Sequence, residues 1–238
     1  MSGRVLITGD KHGTFRPFLG LREHQSLLES DVLLIAGDAG YVWDRNYPWS
    51  LETLEQLFPG TVAFIDGNHE NHALLAGLPE ERWNGGRVHR AGERVFHLMR
   101  GELYRIYGHT VFTFGGARSV DRDQRQEGKD WWPEEEPTAE ELAWGRRQLL
   151  AHREEIQYVV THETPRLARA AITRRKAIAE DYRLPETLEE WYRILEGAPS
   201  FRQWYFGHLH ADQRITKQLR GVHNDVLVLG EETALRWA

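Results

Sequence analysis

The stretch Val32-Leu33-Leu34-Ile35-Ala36-Gly37-Asp38 decides the fold, because a near-continuous apolar run ends there in a glycine and an acidic residue. Apolar runs of this kind are typical of strands that are buried on both faces of a parallel sheet. Two further runs have the same form: residues 5–7 lead into Asp10, and residues 62–65 lead into Asn68. The sequence therefore predicts several parallel strands, each followed by a polar residue.

Helix-like segments separate these strands, over residues 19–28 and over residues 49–57, with Pro59 just beyond the second. Alternating strands and helices indicate an α/β fold built from right-handed crossover units. In such sheets, ligands bind outside the carboxyl ends of the strands. The polar residues that follow the strands are therefore expected to lie together at one edge.

The second half of the chain predicts further strands and helices. Residues 95–98, 102–107 and 110–114, joined by glycine turns, predict an antiparallel meander. Thr138 and Glu141 form a capping box, which predicts a helix over residues 139–155. The remaining predictions are helices over residues 166–180 and 185–196, strands over residues 158–160 and 204–206, and closing strands near Ile215 and over residues 226–229 and 234–237.

The composition of the 238-residue chain is that of an ordinary globular protein, with 40% hydrophobic and 28% charged residues. A net charge of −6 does not indicate nucleic-acid binding, although a local basic groove would be compatible with it. The absence of cysteine excludes disulfides, thiolate metal sites and cysteine nucleophiles. With no linker, signal peptide or membrane span in the sequence, we expect one domain over residues 1–238 and a cytoplasmic location.

Five segments carry residues that suit a divalent metal ion, and each lies at the edge of a predicted strand. Any one of these segments alone is weak evidence for a metal site, because Gly-Asp and Gly-Asn pairs are common in turns. Together they offer carboxylate, amide oxygen and imidazole, a mixture that suits manganese, iron or zinc better than calcium. The segments are Gly9-Asp10-Lys11-His12-Gly13, Gly37-Asp38, Gly67-Asn68-His69-Glu70, Thr161-His162 and Gly207-His208-Leu209-His210. The sequence thus predicts a metal site, and one large enough for two metals.

In this order the segments resemble the calcineurin-like metallophosphoesterases, whose pattern is D-x-H, G-D, G-N-H-[DE], H and G-H-x-H. The match runs from Asp10 to His210, and a loop with Trp131-Trp132-Pro133 is similar to that of a bacterial subgroup of uncharacterised members. The resemblance implies a four-layer αββα metallophosphoesterase sandwich with mixed sheets. By position it implies that Asp10, His12 and His210 bind one metal, that Asn68, His162 and His208 bind the other, and that Asp38 bridges them.

The resemblance also implies hydrolysis of a phosphate ester by in-line attack of a hydroxide that bridges two metal ions. Manganese or iron is expected, with zinc as an alternative. Two such ions, roughly 3.5–4 Å apart, lower the pKa of a shared water. Asp38 and His69 are the expected catalytic residues, with His69 as general acid or as a cation beside the phosphate. The alternative for His69 is a structural hydrogen bond at the sheet edge.

Substrate recognition is expected to involve the loop over residues 115–137. Protein phosphatases of this superfamily extend the second segment to G-D-x-V-D-R-G, whereas this chain continues from Asp38 as Ala39-Gly40-Tyr41-Val42-Trp43, which disfavours that activity. Arginine suits bidentate phosphate binding. The expected substrate-binding residues are Asn68, Arg118, Arg122 and Arg125. The alternative for the arginines is a solvated charged loop, and Trp131 and Trp132 either stack on a base or pin the loop to the body.

The expected substrate is a small phosphodiester of nucleotide type. A phosphomonoesterase or a nucleotide pyrophosphatase with the same metals is the alternative. A non-catalytic scaffold on the same fold is disfavoured, because every ligand position is filled. The sequence leaves the oligomeric state and the biological substrate open. Histidines outside the five segments, His223 among them, are expected on the surface or within strands, with His72 as the exception because it lies close after Asn68.

Overall fold

Two mixed β-sheets form the centre of the protein in a computed structural model that describes residues 3–173, 181–231 and 233–235, without the side chain of His24. The strands are β1 (Val5–Thr8), β2 (Val32–Ile35), β3 (Thr61–Phe64), β4 (Glu80–Trp83), β5 (Gly86–Arg90), β6 (Val95–Leu98), β7 (Glu102–Ile106), β8 (His109–Phe114), β9 (Tyr158–Thr161), β10 (Gln203–Phe206), β11 (Leu219–Gly221), β12 (Val226–Val228) and β13 (Ala234–Leu235). The larger sheet has the order β13-β12-β1-β2-β3-β6-β5-β4, and the smaller sheet has the order β11-β10-β9-β8-β7.

Helices cover the outer faces of both sheets. They are α1 (Arg16–His24), α2 (Tyr47–Leu57), α3 (His72–Ala76), α4 (Ala139–Ala151), α5 (Arg166–Thr173) and α6 (Leu184–Glu196), with short 3₁₀ turns at Arg122–Gln124 and Pro133–Glu135. The capping box of Thr138 and Glu141 at the start of α4 is present as predicted.

Three apolar clusters separate the four layers. Because side chains alternate along a strand, Leu34 of β2 points between the sheets, where it shares a cluster with Tyr205 of β10. Its neighbour Leu33 belongs to the outer cluster that also contains Leu54 of α2. The opposite outer cluster joins the smaller sheet to α4 and α6 and includes Trp191. The expected αββα sandwich is therefore confirmed.

Parallel pairing brings the predicted site residues to one edge. Strands β1, β2, β3 and β6 run parallel in the larger sheet, and β8, β9, β10 and β11 run parallel in the smaller sheet. The carboxyl ends of β1, β2, β3, β9 and β10 are followed by Asp10, Asp38, Asn68, His162 and His208. This pairing places the five residues at one edge of the structure, as expected from the sequence.

Several predicted elements differ from the structure. The predicted meander is wrong in its first strand, since β6 pairs with β3 and β5 in the larger sheet while β7 and β8 lie in the smaller one. The strand predicted near Ile215 lies at β11 instead. The hairpin of β4 and β5 was missed, although its Asn84-Gly85 turn, with positive φ at both residues, is a strong sequence signal.

The ends of several helices differ from the predicted ends by a few residues. Helix α1 begins at Arg16 rather than at residue 19, and α4 ends at Ala151 rather than at residue 155, because a turn begins at His152. The helix predicted over residues 166–180 is described as far as Thr173, and residues 174–180 lie outside the described residues, as do 236 and 237 of the last strand. Within the described ranges, no helix is long and apolar enough to cross a membrane. The single domain and the cytoplasmic location stay predictions.

A buried ion pair fixes the point where the chain crosses between the sheets. Arg100, between β6 and β7, donates to Asp66 Oδ2 from Nε at 2.9 Å and from Nη2 at 2.5 Å. Its Nη1 donates to Glu141 at the start of α4. The side chains of Arg100 and Asp66 are 8% and 3% exposed. This pair therefore ties the end of β3, next to Asn68, to the smaller sheet and its helix layer.

Arg100→Met is expected to lower the free energy of unfolding by about 3–5 kcal/mol, because it removes the arginine partner of the buried Asp66 carboxylate and leaves it only His97, 3.3 Å from Oδ1. Arg105→Met is the matched control, since Arg105 pairs with Glu155 on the surface and such pairs contribute about 0–1 kcal/mol. Urea unfolding of both variants makes the comparison. Equal midpoints for the two variants would contradict the structural role of the buried pair.

Candidate metal centre

One group of side chains at the sheet edge has the arrangement of a metal site. Asp10, His12, Asp38 and His210 each offer a ligand atom, and these four atoms lie within 4.8 Å of one another. The Nε2 atoms of His12 and His210 face each other at 3.1 Å. The Nε2 atom of His210 is also 3.7 Å from Asp10 Oδ1. This group could hold one metal ion.

A second group lies on the other side of Asp38 and is more deeply buried. His162 Nε2 is 3.1 Å from Asn68 Oδ1 and 3.3 Å from Asp38 Oδ1. The ring of His208 is in edge contact with the ring of His162, with centroids 5.1 Å apart. Side chains that follow four different strands, β2, β3, β9 and β10, therefore converge here.

The carboxylate of Asp38 lies between the two groups. Its Oδ1 faces His162 Nε2, and its Oδ2 is 3.8 Å from His12 Nε2. The backbone N–H of His69 donates to Oδ1 at 2.7 Å. Each carboxylate oxygen is thus directed toward a different imidazole.

The backbone at this edge is held in an uncommon conformation. The described residues include seven non-glycine residues with positive φ, and five of them belong to the predicted ligand set. They are Asp10, His12, Asp38, His208 and His210, with φ between 47° and 63°. Left-handed backbone costs energy for such residues and is concentrated at functional sites, where the surrounding structure enforces it. This strain could not be predicted from the sequence.

Two glycines of the predicted segments are required by close approach. A Cβ atom at Gly67 would lie 2.0 Å from Asp38 Oδ1, and one at Gly37 would lie 2.1 Å from His162 Nδ1. Any side chain at either position would displace a candidate ligand. The glycines therefore allow strand ends to approach the ligands, beyond the role in turns expected of them.

Hydrogen bonds outside the centre orient its ligand atoms in a way that fits a cation. His162 Nδ1 donates to the carbonyl oxygen of Ala36 at 2.8 Å, which leaves Nε2 directed inward. Asn68 Nδ2 donates to Ser119 Oγ, which leaves Oδ1 beside His162. Asp10 Oδ2 is buried and has no hydrogen-bond partner within the described part of the chain. An orphaned carboxylate oxygen among inward-facing ligand atoms suits a metal ion.

Burial and neighbouring charges shift the pKa values of the side chains at the centre in different directions. Burial lowers the pKa of both His12 and His208 to about 4, which leaves these imidazoles in the neutral form that binds metals. Burial also acts to lower the pKa of His162, but the adjacent Asp38 outweighs it and raises this pKa to about 10. Burial raises the pKa of Asp10 to about 7. Burial opposes ionisation of Asp38 as well, yet His162 and its neighbours hold the pKa of Asp38 well below its usual range.

Buried acids support the centre from behind. Glu163 is fully buried, accepts from Arg169 Nη1 at 2.9 Å and from Tyr182 Oη at 2.7 Å, and lies 3.7 Å from His208 Nε2. Glu70 accepts from the backbone N–H groups of Ala39 and Gly40 and so holds the loop after Asp38. Glu163 was not among the predicted site residues, although its position directly after His162 was a signal.

His223 lies at the centre rather than on the surface or within a strand. Its ring stacks on His210 at 4.6 Å with an interplanar angle of 7°, and its Nδ1 is 3.9 Å from Asp10 Oδ2. The buried Lys11 donates to the carbonyl oxygen of His223 at 2.6 Å and so fixes this segment. His223 is therefore an exception to what was expected of most histidines outside the five segments, because the loop before β12 folds back over the sheet edge.

The three predicted substrate-binding arginines have different surroundings. Arg118 pairs with Glu136 and Asp181 and lies over the ring of Tyr182. Arg122 also pairs with Glu136. Arg125 pairs with Asp121, and its Nη2 lies 3.5 Å from His69 Nε2.

Two cavities meet at His69. One, of about 180 Å³, is lined by Asp38, Asn68 and His210 of the centre. The other, of about 410 Å³, is lined by His12 and Arg125. The indole of Trp132 is 6% exposed and meets that of Trp43, near the second cavity, edge to face at 5.7 Å, which agrees with the pinning alternative for this side chain.

Comparison with known proteins identifies the family. The family model for calcineurin-like phosphoesterases matches residues 3–212, so the chain belongs to this family, which implies metal-dependent hydrolysis of phosphate esters at a dinuclear centre. Among solved structures, the sulfate thiohydrolase SoxB of Thermus thermophilus in complex with glycerol is similar at 12% identity and a TM-score of 0.38. That match covers 82% of this chain and 33% of the other, so the chain spans about a third of that protein's length. No curated protein matches the chain.

Addition of Mn²⁺ is expected to raise the thermal midpoint, since a ligand that binds only the folded state at 100 times its Kd adds about 2.7 kcal/mol of stability. In the variant His210→Ala, Mn²⁺ is expected to raise the thermal midpoint by less, because one ligand of the group formed by Asp10, His12, Asp38 and His210 is missing. His152→Ala, on the surface beside Glu155, is the matched control. Differential scanning fluorimetry gives the readout, and an undiminished manganese shift in His210→Ala would contradict the site.

Proposed function

We propose that this chain is a phosphodiesterase for small nucleotide-type esters that depends on two metal ions, manganese or iron, with zinc as an alternative. The observation that carries the proposal is the placement of Asp38, whose two oxygens face the imidazoles of two separate ligand groups. A carboxylate in this position suits a bridge between two ions. Membership of the calcineurin-like phosphoesterases supports the reaction type.

The proposed ligands follow the two groups at the sheet edge. Asp10, His12 and His210 would hold one ion, Asn68, His162 and His208 would hold the other, and Asp38 would contact both. When bound, such a pair supplies a hydroxide nucleophile near neutral pH and stabilises negative charge on the phosphate oxygens. The hydrogen bonds to Ala36 and Ser119 keep His162 and Asn68 oriented, so that little rearrangement is needed on binding.

His69 is the proposed general acid. It lines both the cavity at the centre and the larger cavity, and the alkoxide of a departing alcohol would form at this junction. The hydrogen bond from the backbone N–H of His69 to Asp38 Oδ1 fixes the position of His69 relative to the ligands. Arg125, whose Nη2 atom lies 3.5 Å from the His69 ring, is the proposed contact for a phosphate oxygen. Phosphate contacts by Arg118 and Arg122 stay predictions.

The charge of the larger cavity favours a diester over a monoester. Among the described residues, Arg125 is the one arginine or lysine that lines it, and this arginine is already paired with Asp121. A phosphodiester carries a single negative charge and an additional alcohol, whereas a monoester near neutral pH carries close to two charges. One partly neutralised arginine and a cavity of about 410 Å³ suit the first combination.

Asp38→Asn and His162→Ala are both expected to reduce hydrolysis of bis-p-nitrophenyl phosphate to the background rate while the protein stays folded, because each removes a ligand shared by or adjacent to both groups. Asp123→Asn, at an exposed position in the 3₁₀ turn, should retain full activity. Rates are measured with saturating Mn²⁺, with p-nitrophenyl phosphate in parallel. Unchanged turnover in either ligand variant would overturn the mechanism, and faster turnover of the monoester would overturn the diester preference.

His69→Ala is expected to lower kcat by about 10²–10⁴-fold for an alkyl phosphodiester, whose alkoxide needs a proton as it leaves. The loss should be much smaller for bis-p-nitrophenyl phosphate, because p-nitrophenolate leaves without protonation. The ratio of the two rates is the measurement, and His152→Ala is the control. An equal loss on both substrates would show that His69 is not the acid.

A further inference from the structure

The residues that line the larger cavity beside His69 fall into two chemically different groups, which we call its inner end and its outer end. The inner end contains His12, His69 and Arg125, which belong to the proposed reaction site. The outer end is lined by Tyr41, Trp43, Asp44 and Ser50, none of which is needed for the hydrolysis itself. An ester bound with its phosphate at the inner end would place one of its alcohol groups at the outer end.

The aromatic part of the outer end is rigidly held. Trp43 is half-buried, its ring meets Trp132 at an angle of 88°, and its carbonyl oxygen accepts from Asn71. The buried Tyr41 donates its hydroxyl to the carbonyl oxygen of Thr14 at 2.6 Å, so its ring serves as an apolar wall. A fixed aromatic wall of this kind suits a planar group, since stacking on an aromatic side chain is a common means of holding a base.

The polar part of the outer end has unused hydrogen-bonding capacity. The carboxylate of Asp44 is exposed, and its Oδ1 accepts from the backbone N–H of Asn46 at 2.7 Å. Its Oδ2 accepts no hydrogen bond within the described ranges, and the hydroxyl of Ser50 in α2 has no partner there either. The outer end thus presents a carboxylate acceptor and a hydroxyl donor next to an aromatic wall.

We propose that this outer end recognises a guanine base, so that the substrate is a guanosine phosphodiester; the inference rests on the proposed function. Guanine has two adjacent N–H donors, N1–H and N2–H, which match a carboxylate, and a neighbouring O6 acceptor, which matches the Ser50 hydroxyl. Adenine and cytosine each present one amino donor beside a ring-nitrogen acceptor, which a carboxylate repels. Uracil and thymine present one N–H between two acceptors. Trp43 supplies the stacking surface, which is common to all bases.

The test compares p-nitrophenyl esters of guanosine, inosine and adenosine 5′-phosphates by kcat/KM, with Mn²⁺ and chromatography of all products. The wild-type protein is expected to prefer the guanosine ester over the inosine ester, which lacks the 2-amino group, by about tenfold, and over the adenosine ester by more. Isothermal titration with GMP, IMP and AMP should give the same order of affinity. Bis-p-nitrophenyl phosphate reports separately on the proposed hydrolysis.

Asp44→Asn is expected to reduce the guanosine-to-adenosine ratio to within about twofold or to reverse it, because the amide presents a donor where the carboxylate accepted. The amide oxygen can still accept from Asn46, so the loop should keep its conformation. Asp123→Asn is the matched control and should keep the wild-type ratio.

The outcomes separate the two claims. Guanine recognition would be overturned if the wild-type protein showed no base preference, or if Asp44→Asn kept the guanosine-to-adenosine ratio of the wild type. Faster turnover of a phosphocholine or phosphoethanolamine diester than of the guanosine ester would overturn it as well. A metal-loaded wild-type protein that leaves bis-p-nitrophenyl phosphate intact would overturn the proposed function instead. In that case the order of GMP, IMP and AMP affinities still decides whether the outer end recognises guanine.

Discussion

The arrangement of the candidate metal centre depends on keeping one buried carboxylate, that of Asp38, ionised between the ends of two sheets. Removing such a group from water costs several kcal/mol unless opposite charge and hydrogen bonds compensate. Here the imidazoles of His162 and His12 face its two oxygens, and the backbone N–H of His69 donates to one of them. Parallel pairing in both sheets is what brings these groups to a common edge. The close approach of the strand ends in turn requires glycine at positions 37 and 67.

The energetic cost of this edge is distributed over the surrounding structure. Five candidate ligands have left-handed backbone, which persists only where neighbouring contacts enforce it. The loop over residues 115–137 supports the centre at Asn68, since Ser119 accepts from Asn68 and is itself held by the buried Glu135 through its N–H and hydroxyl. Trp132 of the same loop packs against Trp43. The loop is therefore a structural support of the centre as well as a boundary of the larger cavity.

Local signals in the sequence predicted much of this architecture, and long-range contacts account for what they missed. The apolar run before Asp38 and the polar residues at the strand ends could be read directly, because hydrophobic periodicity and ligand chemistry are properties of short segments. The left-handed backbone and the stacking of His223 on His210 could not be read, because both arise from tertiary contacts. The pairing of Arg118 with Asp181, 63 residues away, is of the same kind. The hairpin at Asn84-Gly85 differs, since its turn signal is present in the sequence and was overlooked.

The most direct test of the account is the electron paramagnetic resonance spectrum of the protein loaded with Mn²⁺, together with its manganese content by mass spectrometry. Because Asp38 presents one oxygen to each ligand group, we expect two manganese ions per chain with the exchange-coupled spectrum of a bridged pair. Asp38→Asn should lose that coupling. One ion per chain, or two ions with the spectrum of isolated manganese, would contradict the central role given to this carboxylate.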